Sequence, residues 1–282
     1  MKFGVNAWVW VSPLTTSELQ GLAPKVKKMG FDWLEIPIEG TSDLDYATGA
    51  KILKDNGLLG SVCAAMGPDR DLIHEDKAIR DNGMAYLRHC VDTAKTLGVT
   101  NIVGPLYSAV GRVWQATADE RKMNVDLLAE QLSELANYAG EHGVVLCLEP
   151  LNRFETSFIN LASQAVEVID RVNHPSCQIM LDTFHMNIEE RSIGDAIRVA
   201  GKRLVHLHSC ENDRGAPVSG HMPWDDVKKA LRDIKYDGPV VIESFTNKVK
   251  SIARAAAIWR PFAESQDALA EDGLKFLRAL LT

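Results

Sequence analysis

The chain has 282 residues, a formal net charge of -7, 46% hydrophobic and 24% charged residues. These proportions are those of an ordinary globular protein, and the acidic balance argues against the basic surface that nucleic acid or an anionic membrane would select. No apolar stretch reaches the roughly 18 residues of a membrane helix. The opening "MKFGVNAWVW" has one lysine and no small-residue cleavage site, so it reads as a strand and not as a leader. Five scattered cysteines without a C-x-x-C read as reduced core thiols, and the expected location is the cytoplasm.

Along the chain, short apolar or β-branched runs recur: "KFGVNAWVW", "FDWLEIPI", "LLGSVCAAM", "TNIVGPL", "VVLCLEP", "CQIMLDTF", "RLVHLHSC" and "PVVIESF". Amphipathic segments separate them, among them "TSELQGLAPKVKKMG", "NVDLLAEQLSELANYAGEHG" and "ASQAVEVIDRVN". In the second, Leu127, Leu128, Gln131, Leu132, Leu135 and Tyr138 follow the spacing of a one-faced helix. Gly30, Gly98 and Gly143 stand where helices would end in a left-handed residue. Strands apolar on both faces, alternating with helices, give a parallel sheet covered by helices. Eight such units in this length predict a (β/α)8 TIM barrel, one α/β domain over residues 1–282. "DALAEDGLKFLRALL" adds an extra C-terminal helix.

A barrel of this kind places its active site at the C-terminal ends of its strands. The fifth run ends in Glu149, the sixth in Asp182 with His185 three residues on, the seventh carries His206 and His208, and the eighth ends in Glu243. A charge at the end of a buried strand is costly unless it is matched. Three carboxylates converging on one rim repel one another unless a cation lies between them. Glu149, Asp182, His208 and Glu243 are therefore the expected ligands of one divalent metal. Their oxygen-rich character suits Mn²⁺, Co²⁺ or Mg²⁺, with zinc also possible. His206 points the same way as His208 but lower, and reads as a satisfied core histidine. Cys63, at the top of the third strand with no base near it in sequence, reads as pocket wall.

The motifs "LEPLNRFET", "LDTFHMNIEE", "HLHSCENDRG" and "VIESF", with "VCAAMGPD" and "GPLYSAVGR", resemble the ketose 3-epimerases of the tagatose and allulose (psicose) group, within the xylose-isomerase-like barrels. The resemblance spans essentially the whole chain. It implies Mn²⁺ as the commonest ion and Glu149 and Glu243 as the acid–base pair. It implies Glu155, His185 and Arg214 as sugar-binding residues, Trp114 and Cys63 in the pocket wall, and a homodimer or homotetramer. The stretch "NAWVWVSPLT" departs from the family's aromatic pattern at the far end of the sugar pocket, which leaves the sugar open.

The expected chemistry is the epimerisation of a free ketose at C3 through a cis-enediolate. Removing a proton beside the carbonyl and returning one to the other face suits two carboxylates on non-adjacent strands. No Gly-rich phosphate loop follows the last strands, which favours an unphosphorylated sugar. The alternative within enzymes is an aldose–ketose or hydroxypyruvate-type 1,2-isomerase. A DNA-repair endonuclease would need more histidine ligands and a basic groove. A non-catalytic sugar-binding protein would not need both glutamates.

Overall fold

The computed structural model describes residues 1–282, and the expected barrel is present: eight parallel strands close in sequence order. They are β1 (Lys2–Asn6), β2 (Trp33–Pro37), β3 (Leu59–Cys63), β4 (Asn101–Gly104), β5 (Val145–Leu148), β6 (Cys177–Asp182), β7 (Leu204–His208) and β8 (Pro239–Ile242). The barrel closes where β1 meets β8, with Lys2 opposite Pro239 and Val5 opposite Ile242. Outside it run α1 (Thr16–Met29), α2 (Tyr46–Asp55), α3 (Lys77–Leu97), α4 (Ala118–Glu141), α5 (Ala162–Val172), α6 (Thr183–Glu189), α7 (Ile193–Ala200), α8 (Trp224–Asp233), α9 (Lys250–Ala255) and α10 (Gln266–Leu281). No helix is long and apolar enough to cross a membrane.

The helices start on sequence signals. Thr15 with Glu18, and Thr117 with Glu120, form reciprocal capping boxes that satisfy the free N–H groups at the starts of α1 and α4. Gly30 ends α1 at φ 99°, a conformation that costs glycine nothing. Gly104 ends β4 at φ 129°, where a Cβ would lie 2.1 Å from the Ala64 carbonyl oxygen. No other residue fits that crossing of two strand ends. Three details differ from expectation. The first strand stops at Asn6, whose side-chain oxygen accepts from the Trp8 amide at 2.9 Å and turns Ala7–Val9 into a 3-10 turn. The short helix α6 begins immediately after β6, because Asp182 accepts from the Phe184 amide at 2.8 Å. His142 comes between the end of α4 and Gly143.

Side chains alternate across each strand. The outward set, with the helix faces, forms a core of 72 buried residues. By the same period, the inward set includes Asn6, Glu35, Ser61, Cys63, Val103, Cys147, Met180, His206 and His208. Much of this inner column is polar, which is the feature that positions the site. The extra C-terminal helix α10 braces the β1 side: Trp10 Nε1 donates to Asp267 at 2.7 Å and Arg278 Nη2 donates to the Gly30 carbonyl at 2.7 Å.

Candidate active site and metal centre

Glu149, Asp182, His208 and Glu243 sit on one rim, at or immediately beyond the ends of β5, β6, β7 and β8, and are only 4%, 1%, 0% and 5% exposed. Donor atoms of Glu149, Asp182 and His208 come within 4.8 Å of one another. Glu243 stands beside this trio, with Oε1 3.4 Å from His208 Nδ1. Its other oxygen accepts from Arg214 Nη1 at 2.6 Å, and the same nitrogen donates to Asp182 Oδ2 at 2.5 Å. Arg214 belongs to the loop after β7 and is held there at φ 70°. Ser244 Oγ anchors its carbonyl at 2.7 Å, and the Phe184 ring lies 4.1 Å from its guanidinium.

The two glutamates differ in proton affinity. Burial, and then the neighbouring charge of Glu243, push Glu149 well above the ordinary carboxylate range. Burial also penalises the Glu243 carboxylate, but His208 and Arg214 outweigh it and hold Glu243 below that range. Burial and then Arg214 lower His185 to about 3, so its ring is neutral. Donors face both ring nitrogens: the Asn152 amide is 3.1 Å from Nδ1 and Arg214 Nη2 is 3.0 Å from Nε2. A neutral imidazole accepts at one of them.

The donor set fits a divalent ion. Glu149 Oε1 and His208 Nδ1 are buried without any hydrogen-bond partner. Orphaned acceptors are expensive, and a cation among three carboxylates would satisfy both while relieving their repulsion. Oxygen-rich ligation with one imidazole suits a hard or borderline ion.

Over the rim opens a cavity of about 810 Å³, whose lining includes Glu149, Glu155, His185, Arg214, Glu243 and Cys63. Its walls are largely apolar, with Trp8, Met66, Phe184 and Phe245 among them. Asp182 and His208 lie buried beneath it. Glu155 is tied to Asn152 Nδ2 at 2.7 Å, and burial raises its carboxyl above the usual range. Trp114 is the exception among the expected wall residues. It lies outside this lining, stacked on Phe158 at 6.0 Å with Arg112 over its other neighbourhood at 4.4 Å. Its backbone amide is fixed by Ser157 Oγ at 2.8 Å, beside the bridge between Arg112 and Thr156, which holds it away from the cavity.

His206 is buried as expected but is not satisfied: neither ring nitrogen has an aligned hydrogen bond, and the nearest partner is Glu35 Oε2 at 3.1 Å from Nε2. Glu35 was not among the expected site residues. It is a carboxylate inside an apolar strand, "DWLEIPI", whereas Glu149 terminates its run. Glu39 and Arg70 also line the cavity, Arg70 from the loop that directly follows "VCAAMGPD".

Comparison with known proteins agrees with this geometry. The family model for the xylose isomerase-like TIM barrel matches residues 23–280. A D-psicose 3-epimerase of Agrobacterium fabrum is 36% identical over 272 residues, covering 95% of this chain and 93% of its own. A D-psicose 3-epimerase of Ruminiclostridium cellulolyticum is 38% identical over 270 residues, covering 95% and 92%. Among solved structures, a D-psicose 3-epimerase determined in the presence of D-fructose superposes with a TM-score of 0.91 at 33% identity, covering 100% of this chain and 99% of that one. The chain belongs to the xylose isomerase-like TIM barrel family, among its ketose 3-epimerases.

Proposed function

We propose that this chain interconverts free ketoses at C3, with residues 1–282 working as one domain. The observation that carries this reading is that Glu149 and Glu243, just beyond the ends of the non-adjacent strands β5 and β8, both line one cavity. Two carboxylates so placed suit the removal of a proton from one face of a carbon and its return to the other. Glu149, Asp182, His208 and Glu243 would hold the ion, with Mn²⁺ proposed first and Co²⁺ or Mg²⁺ as substitutes. Bound there, it would polarise the substrate carbonyl and stabilise the negative charge of an enediolate.

The protein's own residues do the rest. One glutamate takes the C3 proton, and the other returns a proton to the opposite face of the same carbon. The epimer leaves with the two protonation states exchanged, and proton exchange resets them. In the reverse direction the roles swap. Arg214 and neutral His185 lie side by side on the cavity wall and would orient the carbonyl end of the sugar. Glu155 would accept from a sugar hydroxyl. Cys63 and the apolar walls restrict water around the reacting carbon.

Two companion readings are included in the proposal. Five buried, unpaired cysteines fit a reducing compartment such as the cytoplasm, and the assembly is a homodimer or homotetramer. The deciding experiment incubates the metal-loaded protein with free ketoses in D₂O. Deuterium entering C3 with epimer formation is expected. Deuterium at C1 with an aldose product would make the chain a 1,2-isomerase instead.

A further inference from the structure

We propose that Glu35 is a positioning residue for the metal centre: it fixes the ring of His208 so that Nδ1 faces the other ligands. The proposal rests on the reading of His208 as a ligand. Glu35 sits on β2, fully buried in the barrel interior, with its carboxylate beside His208 and within 4.8 Å of a Glu243 oxygen. Its Oε1 lies 2.8 Å from His208 Nε2 and also accepts from Asn6 Nδ2 at 2.8 Å. Its Oε2 accepts from Ser61 Oγ at 2.7 Å, and that hydroxyl in turn accepts from Trp33 Nε1 at 2.9 Å. Each carboxylate oxygen is thus pinned by a donor that belongs to the barrel wall.

An ionised carboxylate can only accept. The His208 nitrogen facing it must therefore carry the proton, and the lone pair of a neutral ring is left on Nδ1. That atom is the one with no hydrogen-bond partner, close to Glu149 and Asp182. The contact selects the tautomer and the ring angle together, as carboxylates do behind metal-bound imidazoles elsewhere. Asn6 extends the brace, because its oxygen holds the Trp8 amide at 2.9 Å and Trp8 lines the cavity. A purely packing role for Glu35 would not explain why Oε1, already held by Asn6, also lies 2.8 Å from His208 Nε2.

The test measures Mn²⁺ binding by the electron paramagnetic resonance signal of free Mn²⁺. Glu35→Gln is expected to weaken Mn²⁺ binding by about 10- to 100-fold, the usual cost of losing such a partner. At saturating Mn²⁺ its kcat should return to within a few-fold of wild type, since Glu35 does not touch the substrate. In Mg²⁺-loaded protein, the downfield Nε2–H resonance of His208 should be present in wild type and lost or shifted in the variant. Ser61→Ala keeps the carboxylate but removes one brace; it should weaken Mn²⁺ binding less, in the same direction, and serves if Glu35→Gln fails to fold. Unchanged Mn²⁺ affinity in both variants, with only a lowered melting temperature, would overturn the proposal and leave the metal reading standing. Wild-type protein that binds no Mn²⁺ would overturn the metal reading and the proposal with it.

Discussion

Arg214 and Glu243 share a hydrogen bond of 2.6 Å in which both partners are buried. The same guanidinium nitrogen also serves Asp182, so one positive charge answers two carboxylates of the rim. This makes Arg214 part of the electrostatic balance of the centre as well as a proposed sugar contact.

Arg214→Ala should therefore have two effects. KM for the ketose should rise and kcat fall. In chelator-treated protein the variant should also lose stability, by about 3–5 kcal/mol, because two buried carboxylates lose their partner. Denaturant melts with and without Mn²⁺ check this. Addition of the ion should restore more stability to the variant than to wild type.

Glu149→Gln and Glu243→Gln keep an oxygen that can ligate but remove the proposed proton carrier. Each should lower kcat at saturating Mn²⁺ by at least about a hundredfold, the usual contribution of a general acid or base. Single-face exchange of the C3 proton, followed by NMR in D₂O without epimer formation, would identify the glutamate that remains competent.

Treatment with a chelator should abolish turnover, and Mn²⁺ or Co²⁺ should restore it. The basis is the pair of orphaned buried atoms, Glu149 Oε1 and His208 Nδ1. Full turnover by protein shown to be metal-free by elemental analysis would end that reading.

The thiols offer a check on burial throughout the barrel that needs no turnover assay. Burial raises every cysteine, Cys90 and Cys177 to about 12. Unfolded thiols ionise near about 8.5. Because the folded value lies above the unfolded one, the contribution to stability is complete below about pH 8.5 and is lost as the pH climbs toward the folded value. A chromogenic disulfide at pH 8 should titrate almost none of the five thiols in native protein and all of them in denaturant.

The barrel was legible because its strands are apolar runs punctuated by helices with caps, and the rim carboxylates because each terminates such a run. Glu35 shows where the reading stopped: it lies within a strand rather than at its end, and nothing local says that β2 faces His208 across the barrel. Trp114 shows a second limit. Whether a loop aromatic faces a cavity depends on what fixes its backbone, here Ser157, 43 residues away. The turn at Asn6 was hidden because "AWVW" has strand-forming side chains, while one side-chain hydrogen bond decides the backbone.

The closing of the barrel between β1 and β8 bears on how the protein comes to be active. The expected ligands all come from β5 to β8, whereas their brace, Asn6, Glu35 and Ser61, comes from β1 to β3. During synthesis the amino-terminal half emerges first, and β1 can pair with β2 early, yet it must wait for its second neighbour, because Lys2 pairs with Pro239. Pairings so distant in sequence form slowly. A nascent chain thus offers a metal ion scattered ligands and no oriented imidazole, and the catalytic centre comes into being only when the two ends of the chain meet.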